Sequence, residues 1–278
     1  MTKMKFLIFG LGSIGRRHFR NLRLLRPDAL ILGVDPYGEY TLMGPDAIGI
    51  DLLYRDWQQG LSDHPDTNGV LICSPHDAHL EQIEASAQTD LPIFCEKPIC
   101  LLRQTESAKT IIPHITVKAA VGFHYRFHLE FERVKKYATR GFLKFYERND
   151  LASRYGATVA ETCANHAVDW ALQCYGPAAQ AEFHTDGIGL TGKITHRNGY
   201  ESFYDYNMAS SEHISKVEYP GGWLMLGSDD TAYVRELQVW LDWVEGRKKD
   251  KRLASLMDGL EVNRVLSNFD DTLYPLYR

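Results

Sequence analysis

Two charged side chains at the end of an apolar segment are the clearest candidates for chemistry in this sequence. Residues 94–100 read Phe-Cys-Glu-Lys-Pro-Ile-Cys, so Glu96 and Lys97 directly follow apolar residues and Pro98 comes next. Such a stretch has two interpretations. It is either a strand that runs out into a solvated turn, or a lysine held rigidly at the mouth of an active site, where its amine could serve as a general acid or base.

A glycine-rich turn near the N-terminus offers a second chemistry. Gly10, Gly12 and Gly15 form a G-x-G-x-x-G motif between a strand-like run and a helical pattern, and Asp35 ends the next apolar run. In dinucleotide-binding units the first glycine permits a tight turn, the second lets the backbone approach a pyrophosphate, and the third allows a helix to pack closely on a strand. The motif in this context predicts a dinucleotide site.

The residues around this turn predict how the dinucleotide is held and which one is preferred. Ser13 and Ile14 open the helix, whose free N–H groups and positive dipole end suit phosphates. Asp35 would accept hydrogen bonds from the adenosine ribose. A carboxylate there repels a 2′-phosphate, and the segment VDPYGEY contains no Arg or Lys to bind one. We therefore expect NAD(H) to be preferred over NADP(H).

These motifs lie in a pattern of alternating strands and helices. Continuous apolar runs with helical spacing between them predict βαβ units and a parallel sheet covered on both faces. The apolar runs cover residues 4–9, 29–34, 69–73, 92–95 and 117–123. Ser74-Pro75 and the histidines His76 and His79 follow the third run, so they belong to the carboxyl edge of the sheet, where ligands bind.

After about residue 122 the pattern changes to an open alternation of apolar and polar residues. Hairpin turns at Asn198-Gly199 and Gly221-Gly222 predict an antiparallel sheet, flanked by helical patterns at 161–175, 231–245 and 252–268. The expected fold is an α/β Rossmann dinucleotide-binding domain over residues 1–121. An α+β domain with an open, mainly antiparallel sheet follows over residues 122–278 and would serve substrate binding and oligomerisation.

Composition argues against several other classes of protein. The 278 residues carry a net charge of −5, which disfavours a nucleic-acid partner, and no apolar run approaches the roughly 18 residues of a membrane span. The N-terminus runs straight into a strand-like segment, so we expect no signal peptide. Five cysteines without C-x-x-C spacing suit reduced thiols in the cytoplasm. The eleven histidines include no H-E-x-x-H, so no metal is expected.

The order of motifs resembles that of the Gfo/Idh/MocA oxidoreductases, the family of glucose–fructose oxidoreductase and inositol dehydrogenase. After the glycine turn come NGVLICSPHDAHLEQIEAS and PIFCEKP, in which Ser74-Pro75, His79 and Glu96-Lys97-Pro98 match the family pattern. The similarity continues in VGFHYRFH, in NHAVDWALQCYG, which looks like the family's G-x-H-x-x-D helix, and in TAYVRELQVWLDWVEG.

The resemblance implies roles for the residues around the Glu-Lys-Pro motif. Lys97 would lie beside the nicotinamide and the substrate and exchange a proton as a hydroxyl becomes a carbonyl. Pro98 would fix the backbone after it, with the Lys97–Pro98 peptide bond in the cis form. The remaining cofactor contacts implied by the resemblance are Ser74, Pro75, His79, Glu96 and Lys97 itself.

The resemblance also implies a second acid–base group. His166 and Asp169 are spaced i, i+3 on one face of a predicted helix. His166 would be a second acid/base or a hydroxyl anchor, and Asp169 would orient the substrate or the histidine. Many relatives carry an aspartate four residues before this histidine, where this chain has Thr162. The expected relay is therefore a Lys97–His166 pair rather than a triad.

The remaining candidates are expected substrate contacts. Arg126 would hold a sugar hydroxyl or a phosphate, or would merely cap a strand, and both interpretations stay open. Tyr125, Arg154 and Tyr155 are further candidates for the substrate pocket.

The leading hypothesis is an NAD(H)-dependent oxidoreductase that interconverts a secondary alcohol and a ketone on a sugar, cyclitol or nucleotide-linked sugar. One alternative is a non-catalytic regulator that binds a dinucleotide and a partner protein. Another is a reductase of a non-sugar substrate such as an imine. Aromatic and aliphatic residues of the late strands, such as Tyr206 and Trp223, favour a homodimer or a dimer of dimers through the second sheet.

Overall fold

The computed structural model describes residues 3–37, 49–150, 163–229 and 231–267. The chain forms two compact units. The first unit comprises Met1–Phe123 and Tyr233–Leu260, and the second comprises His124–Ala232 and Glu261–Arg278.

The first unit contains a parallel six-stranded sheet with the Rossmann strand order β3-β2-β1-β4-β5-β6. Its strands are β1 (Lys5–Phe9), β2 (Leu30–Val34), β3 (Leu52–Tyr54), β4 (Gly69–Ile72), β5 (Ile93–Glu96) and β6 (Ala119–Gly122). Its helices are α1 (Ser13–Leu25), α2 (Trp57–Asp63), α3 (His79–Gln88) and α4 (Thr105–Ile111). The predicted parallel sheet and its dinucleotide-binding topology are confirmed.

Strand order reverses at β1, which pairs with β2 on one side and with β4 on the other. The carboxyl ends of β1 and β4 therefore lie side by side, and the backbone N–H of Cys73 donates to the carbonyl of Phe9 at 2.7 Å. In open α/β sheets ligands bind at such a switch point. Because β5 is the parallel neighbour of β4, its end at Glu96 reaches the same edge.

The chain returns to the first unit over residues 233–260, a part that the sequence pattern places in the second domain. The cause is the apolar face of α7 (Thr231–Val244). Trp240 is fully buried, its ring packs on Phe6 and Phe94 at centroid distances of 6.1 and 5.7 Å, and its indole N–H donates to the carbonyl of Ile93. Lys118 donates from Nζ to carbonyls in the last turn of this helix.

The second unit contains a mixed, mainly antiparallel sheet in the order β12-β11-β7-β10-β9-β8, as predicted. Its strands are β7 (Phe142–Arg148), β8 (Ala178–Thr185), β9 (Gly189–His196), β10 (Glu201–Asn207), β11 (Ile214–Tyr219) and β12 (Gly222–Met225). The contact between β7 and β10 is the parallel pairing in this sheet. The helices are α5 (Phe131–Ala138) and α6 (Asn165–Tyr175), with a 3₁₀ turn at His124–Phe127. The last described helix is α8 (Leu256–Ser267), which begins in the first unit.

Alternation along these strands separates a buried face from an open one. Phe145, Tyr204 and Val217 are buried, and Trp170 of α6 packs against Phe145 at 6.3 Å between ring centroids. The open face carries charged and aromatic side chains, among them Lys144, Tyr146, Arg148, Asp205, Lys216 and Glu218. Among the residues that the structure describes, no helix is both long enough and apolar enough to cross a bilayer.

Candidate functional site

The glycine turn joins β1 to α1, and its glycines meet different surroundings. Gly10 has φ +83°, and a Cβ there would lie 2.6 Å from the carbonyl oxygen of Cys73. A Cβ on Gly15 would collide with the carbonyl oxygen of Gly10. Gly12 differs, because a Cβ there meets no described atom within 4 Å. Gly10 and Gly15 are therefore required by the fold itself, whereas at Gly12 the described chain leaves space beside the backbone.

The N-terminus of α1 opens onto this space. Gly12 occupies the N-cap position, and no described side chain caps the helix there. The first turn starts at Ser13 and Ile14 and contains no acidic residue. The first N–H groups of a helix have no partners within the helix, and the dipole makes that end attractive to anions. These features fit the pyrophosphate of a dinucleotide.

Asp35 is fastened to the same turn. Its Oδ2 accepts a hydrogen bond from the backbone N–H of Leu11 at 2.8 Å, and its Oδ1 accepts one from the N–H of Tyr37 at 2.8 Å. An ionised carboxylate offers about four acceptor sites, so two of them remain for a ribose diol. The side chain is half-buried at the carboxyl end of β2, next to the glycine turn, where the ribose of a dinucleotide is expected.

The turn after β4 is held by two helical side chains. Ser74 donates from Oγ to Oε1 of the buried Gln82 at 2.6 Å. His79 is fully buried, and its Nε2 lies 2.9 Å from the carbonyl oxygen of Ser74 while its Nδ1 lies 2.6 Å from that of Pro98. His79 therefore links the turn after β4 to the turn after β5. Pro75, between these groups, is exposed.

Lys97 emerges from a buried stretch. It is the one residue between Ile93 and Leu101 that is not buried, and the Lys97–Pro98 peptide bond is cis, which confirms the expectation from the resemblance. Glu96 is 5% exposed and lies 2.6 Å from Nε2 of His18 through Oε1, while its Oε2 accepts from the backbone N–H of Lys97 at 3.3 Å. A short buried strand thus delivers a half-buried amine to the carboxyl edge of the sheet.

Burial keeps the nearby imidazoles neutral. Burial, with smaller contributions from the charges of His79 and Lys97, lowers the pKa of His76 to about 3. Burial also lowers the pKa of His79, while its two carbonyl neighbours and Glu96 act in the opposite direction. At neutral pH, His76 therefore adds no positive charge beside Lys97.

In the second unit a group of aromatic rings surrounds His166. The ring of His166 lies 4.4 Å from that of His124 and 4.6 Å from that of Tyr125, measured between centroids. The Tyr125 hydroxyl lies 3.4 Å from Oγ of Ser215 on β11. Burial raises the pKa of Tyr125 well above its usual range, so the phenol stays a neutral hydrogen-bond donor.

Arg126 and Asp169 form a buried ion pair. Arg126 Nε donates to both carboxylate oxygens of Asp169, at 3.1 and 2.8 Å, and its Nη2 makes a short bond to Oδ1. The two side chains are 3% and 2% exposed. Asp169, three residues after His166 on α6, therefore has its partner in the 3₁₀ turn. This pair holds the turn with Tyr125 against the helix with His166.

Sequence reasoning identified most of these residues but missed two histidines. His18 is a buried residue of α1 that faces Glu96, and His124 lies against His166. His18 could have been found from its place on the buried face of the helix, with Gly15, Phe19 and Leu22 at helical spacing. Nothing in the sequence pointed to the His124 contact.

The predicted site residues do not all belong to one unit, and three of the residues considered lie outside the described ranges. The candidates fall into two sets, with Lys97 in the first unit and His166 in the second. Arg154, Tyr155 and Thr162 lie outside the described residues. Within the described ranges, no group of three or more His, Cys, Asp or Glu side chains could hold a metal ion.

Comparison with known proteins supports the resemblance. Residues 4–123 match the Gfo/Idh/MocA family, described as an oxidoreductase family with an NAD-binding Rossmann fold. The match spans the six parallel strands of the first unit. Among curated relatives, a myo-inositol 2-dehydrogenase from Thermotoga maritima is 29% identical over 147 residues, which cover 50% of this chain and 41% of the relative. The chain thus matches less than half the length of that protein.

Solved structures extend the similarity of fold to both units. A scyllo-inositol dehydrogenase from Lactobacillus casei, with bound NAD(H) and scyllo-inositol, superposes with a TM-score of 0.76 at 17% identity and covers 95% of each chain. The WlbA dehydrogenase from Thermus thermophilus, in complex with NAD and UDP-GlcNAcA, gives a TM-score of 0.76 at 15% identity over 95% of this chain and 94% of its own.

Proposed function

Since residues 4–123 carry the Gfo/Idh/MocA Rossmann domain, we propose that this chain is an NAD(H)-dependent oxidoreductase. Its reaction would interconvert a secondary alcohol and a ketone on a sugar, cyclitol or nucleotide-linked sugar. One observation carries the proposal. The half-buried Lys97 lies at the carboxyl edge of the parallel sheet, and the open space beside Gly12 lies at the same edge. The substrate class follows the names of relatives that act on inositols or bind a nucleotide sugar.

The cofactor would be held by the residues of the switch point. The N–H groups of Ser13, Ile14 and Gly15 would bind the pyrophosphate, which approaches over Gly12, and the Asp35 carboxylate would bind the ribose. Bound NAD supplies a hydride acceptor, and NADH a hydride donor. The cofactor side of the site would be completed by the turns after β4 and β5, which contain or adjoin Ser74, Pro75, His79 and Glu96.

Lys97 would handle the proton. During oxidation the substrate loses a hydride from its carbinol carbon and a proton from its hydroxyl, and a neutral Lys97 Nζ would accept that proton. During reduction the protonated amine would return it to the forming alkoxide. This step is general acid–base catalysis and is worth about 10²- to 10⁴-fold in rate.

His166 would be the second proton-handling group, by hydrogen bonding to the substrate hydroxyl or by passing the proton onward. Tyr125 would contact the substrate beside it. Arg126 and Asp169 were predicted as substrate contacts, and their mutual ion pair supports a further task, which is to hold Tyr125 against the ring of His166.

The cofactor preference rests on Asp35. Its carboxylate, fixed by two backbone N–H groups, would repel the 2′-phosphate of NADP. Titration of the purified protein with both cofactors tests this part of the proposal. We expect tighter binding of NAD(H), and an equal or higher affinity for NADP(H) would refute the preference.

Turnover is tested by incubating the protein with NAD and a panel of inositols, sugars and nucleotide sugars while recording NADH formation. We expect a substrate in this panel, and we expect Lys97→Ala to lose activity on it while NAD still binds. NAD binding without turnover of any panel member would instead favour a regulator. Turnover of an imine alone would favour a reductase of non-sugar substrates.

A further inference from the structure

Both neighbours of Lys97 are held by buried histidines. Glu96 binds His18 of α1, and the carbonyl of Pro98 binds His79 of α3. Both imidazoles are 0% exposed. We propose that His18 and His79 are positioning residues that together fix the backbone on either side of Lys97. The inference rests on the proposed function of Lys97 and extends it to two residues that touch neither the amine nor a substrate.

The link through His18 is rigid at each step. Its ring packs edge-on against Phe94 at 5.2 Å and against Tyr233 at 6.1 Å between centroids, so its orientation is fixed. Its Nε2 lies 2.6 Å from Glu96 Oε1, and Glu96 Oε2 accepts from the backbone N–H of Lys97 at 3.3 Å. The carboxylate thereby connects helix α1 to the backbone of Lys97.

The space around the Glu96 carboxylate is equally restricted. A Cβ on Gly122 of the neighbouring strand would lie 3.0 Å from Glu96 Oε1. The glycine therefore leaves room for the carboxylate but little room for it to turn away. Burying a polar group without a hydrogen-bond partner is costly, so the contact with His18 favours Glu96 in this place.

The link through His79 acts on the other side of Lys97. The carbonyls of Pro98 and Ser74 can only accept hydrogen bonds, and they lie 2.6 and 2.9 Å from Nδ1 and Nε2. A neutral imidazole has one N–H, so it donates to one carbonyl at a time, and the shorter contact is to Pro98. His79 thus fastens the turn that carries Lys97 to the start of α3.

The consequence is a backbone fixed on both sides of the one side chain in the stretch that is not buried. Catalysis by a positioned group is sensitive to placement, and an error of about 1 Å can cost roughly 10²-fold in rate. Loss of either link should therefore lower kcat through displacement of Lys97.

Paired substitutions separate positioning from packing. His18→Gln places an amide donor near the position of Nε2, whereas His18→Leu fills the volume without a donor. His79→Asn retains a donor near the position of Nδ1 for Pro98, whereas His79→Gln retains one near Nε2 for Ser74. We expect kcat to fall roughly 10- to 100-fold in His18→Leu and His79→Gln. His18→Gln and His79→Asn should recover most of the loss, and the NAD dissociation constant should stay within about twofold in both His18 variants.

A matched control and a second readout complete the test. His196 is a buried histidine of the second unit whose Nδ1 lies 2.8 Å from the carbonyl oxygen of Gly176, so His196→Asn should leave kcat unchanged. Independently of activity, ¹³C-methylation of the lysines lets NMR follow the Lys97 amine, assigned by its loss in Lys97→Arg. Its resonance should narrow in His18→Leu and His79→Gln, because the backbone around Lys97 is released and the amine becomes more mobile. It should remain broad in His18→Gln and His79→Asn, which retain the contact.

Equal kcat losses within each pair, accompanied by equal losses of thermal stability, would show a structural role and overturn the inference. So would a kcat and a Lys97 resonance unchanged in all four variants. If the wild-type protein turned over no member of the substrate panel, the proposed function would fail, and the Lys97 resonance alone would still decide whether the two histidines hold this backbone. Should His18→Leu not fold, the comparison of His79→Asn with His79→Gln remains decisive.

Discussion

At the scale of single residues, one motif contains glycines with different physical tasks. Gly10 and Gly15 are required by a left-handed backbone and by close backbone contact, while Gly12 faces open space. The motif predicts a separate task for each of the three. Their surroundings show that substitution should affect the fold in two cases and the ligand in the third.

Gly12→Ala should fold with normal thermal stability and lose at least roughly tenfold in NAD affinity, because the methyl group would occupy the approach of the pyrophosphate. Calorimetric titration with NAD measures the affinity, and a thermal melt checks the fold. Gly15→Ala is the matched variant and should lower the melting temperature. Unchanged NAD affinity in Gly12→Ala would disprove a pyrophosphate position over this residue.

Lys97→Ala and His166→Ala should each reduce kcat by about 10²- to 10⁴-fold while the fold and NAD binding are retained. If the two residues form one relay, the double variant should lose less than the product of the single losses. Steady-state kinetics on the substrate found in the panel provide the comparison. Fully multiplicative losses would indicate independent roles.

At the scale of elements, the second set of candidates depends on a contact between a short 3₁₀ turn and a helix. Arg126 belongs to the turn and Asp169 to α6, and their bidentate pairing is almost completely buried. Breaking a buried pair leaves a charge without its partner in a low-dielectric place, whereas replacing both members removes that penalty.

Arg126→Met should lower the free energy of unfolding by about 3–5 kcal/mol, and the double variant with Asp169→Leu should be more stable than the single one. Urea unfolding at neutral pH measures both. Arg133→Met is the control, because Arg133 pairs with Glu130 at the surface, with the two side chains 61% and 40% exposed. A loss in Arg126→Met no larger than in this control would contradict the importance of the buried pair.

At the scale of the whole molecule, buried histidines should make the fold sensitive to acid. Burial lowers the pKa of His76 to about 3 and also lowers those of His79 and His196. An unfolded histidine titrates near 6.5, so below that pH the unfolded state binds more protons than the folded state. Stability should therefore fall as the pH decreases from about 6.5 toward 3.

Urea unfolding between about pH 7 and pH 5 measures this dependence in a range where most carboxylates stay ionised in both states. Stability should decrease over the range, and the slope should be smaller in His76→Gln and His196→Gln. A slope that neither substitution changes would show that these histidines do not carry the effect.

The assembly of the protein is a second prediction at this scale. We expect a homodimer, or a dimer of dimers, through the open face of the second sheet. The structure buries Tyr204, Tyr206 and Leu226, so the apolar part of the expected contact is smaller than the sequence suggested, while Trp223 remains 64% exposed.

Light scattering at micromolar concentration should give the mass of at least two chains, and Trp223→Ser should shift it toward one. Leu129→Ser is the control, since Leu129 is 74% exposed in the same unit but outside the sheet. The mass of a single chain for the wild-type protein would reject the assembly.

The sequence by itself determined the elements and the motifs that they carry. Continuous apolar runs predicted the parallel strands, the glycine spacing predicted the turn before α1, and the order of motifs placed Lys97 at the end of a strand. These properties are local or depend on neighbouring elements, so periodicity and spacing are enough to predict them.

Only the tertiary structure decided which side chains meet across long separations. The pairing of His18 with Glu96 spans 78 positions, that of Arg126 with Asp169 spans 43, and the indole of Trp240 reaches the carbonyl of Ile93 across 147. Such contacts depend on how helices and strands pack. Periodicity shows which face of an element is buried but not which side chain it meets there. The sequence therefore identified Lys97 and His79 as candidates, while the packing of α1 and α3 revealed that His18 and His79 contact the two neighbours of Lys97.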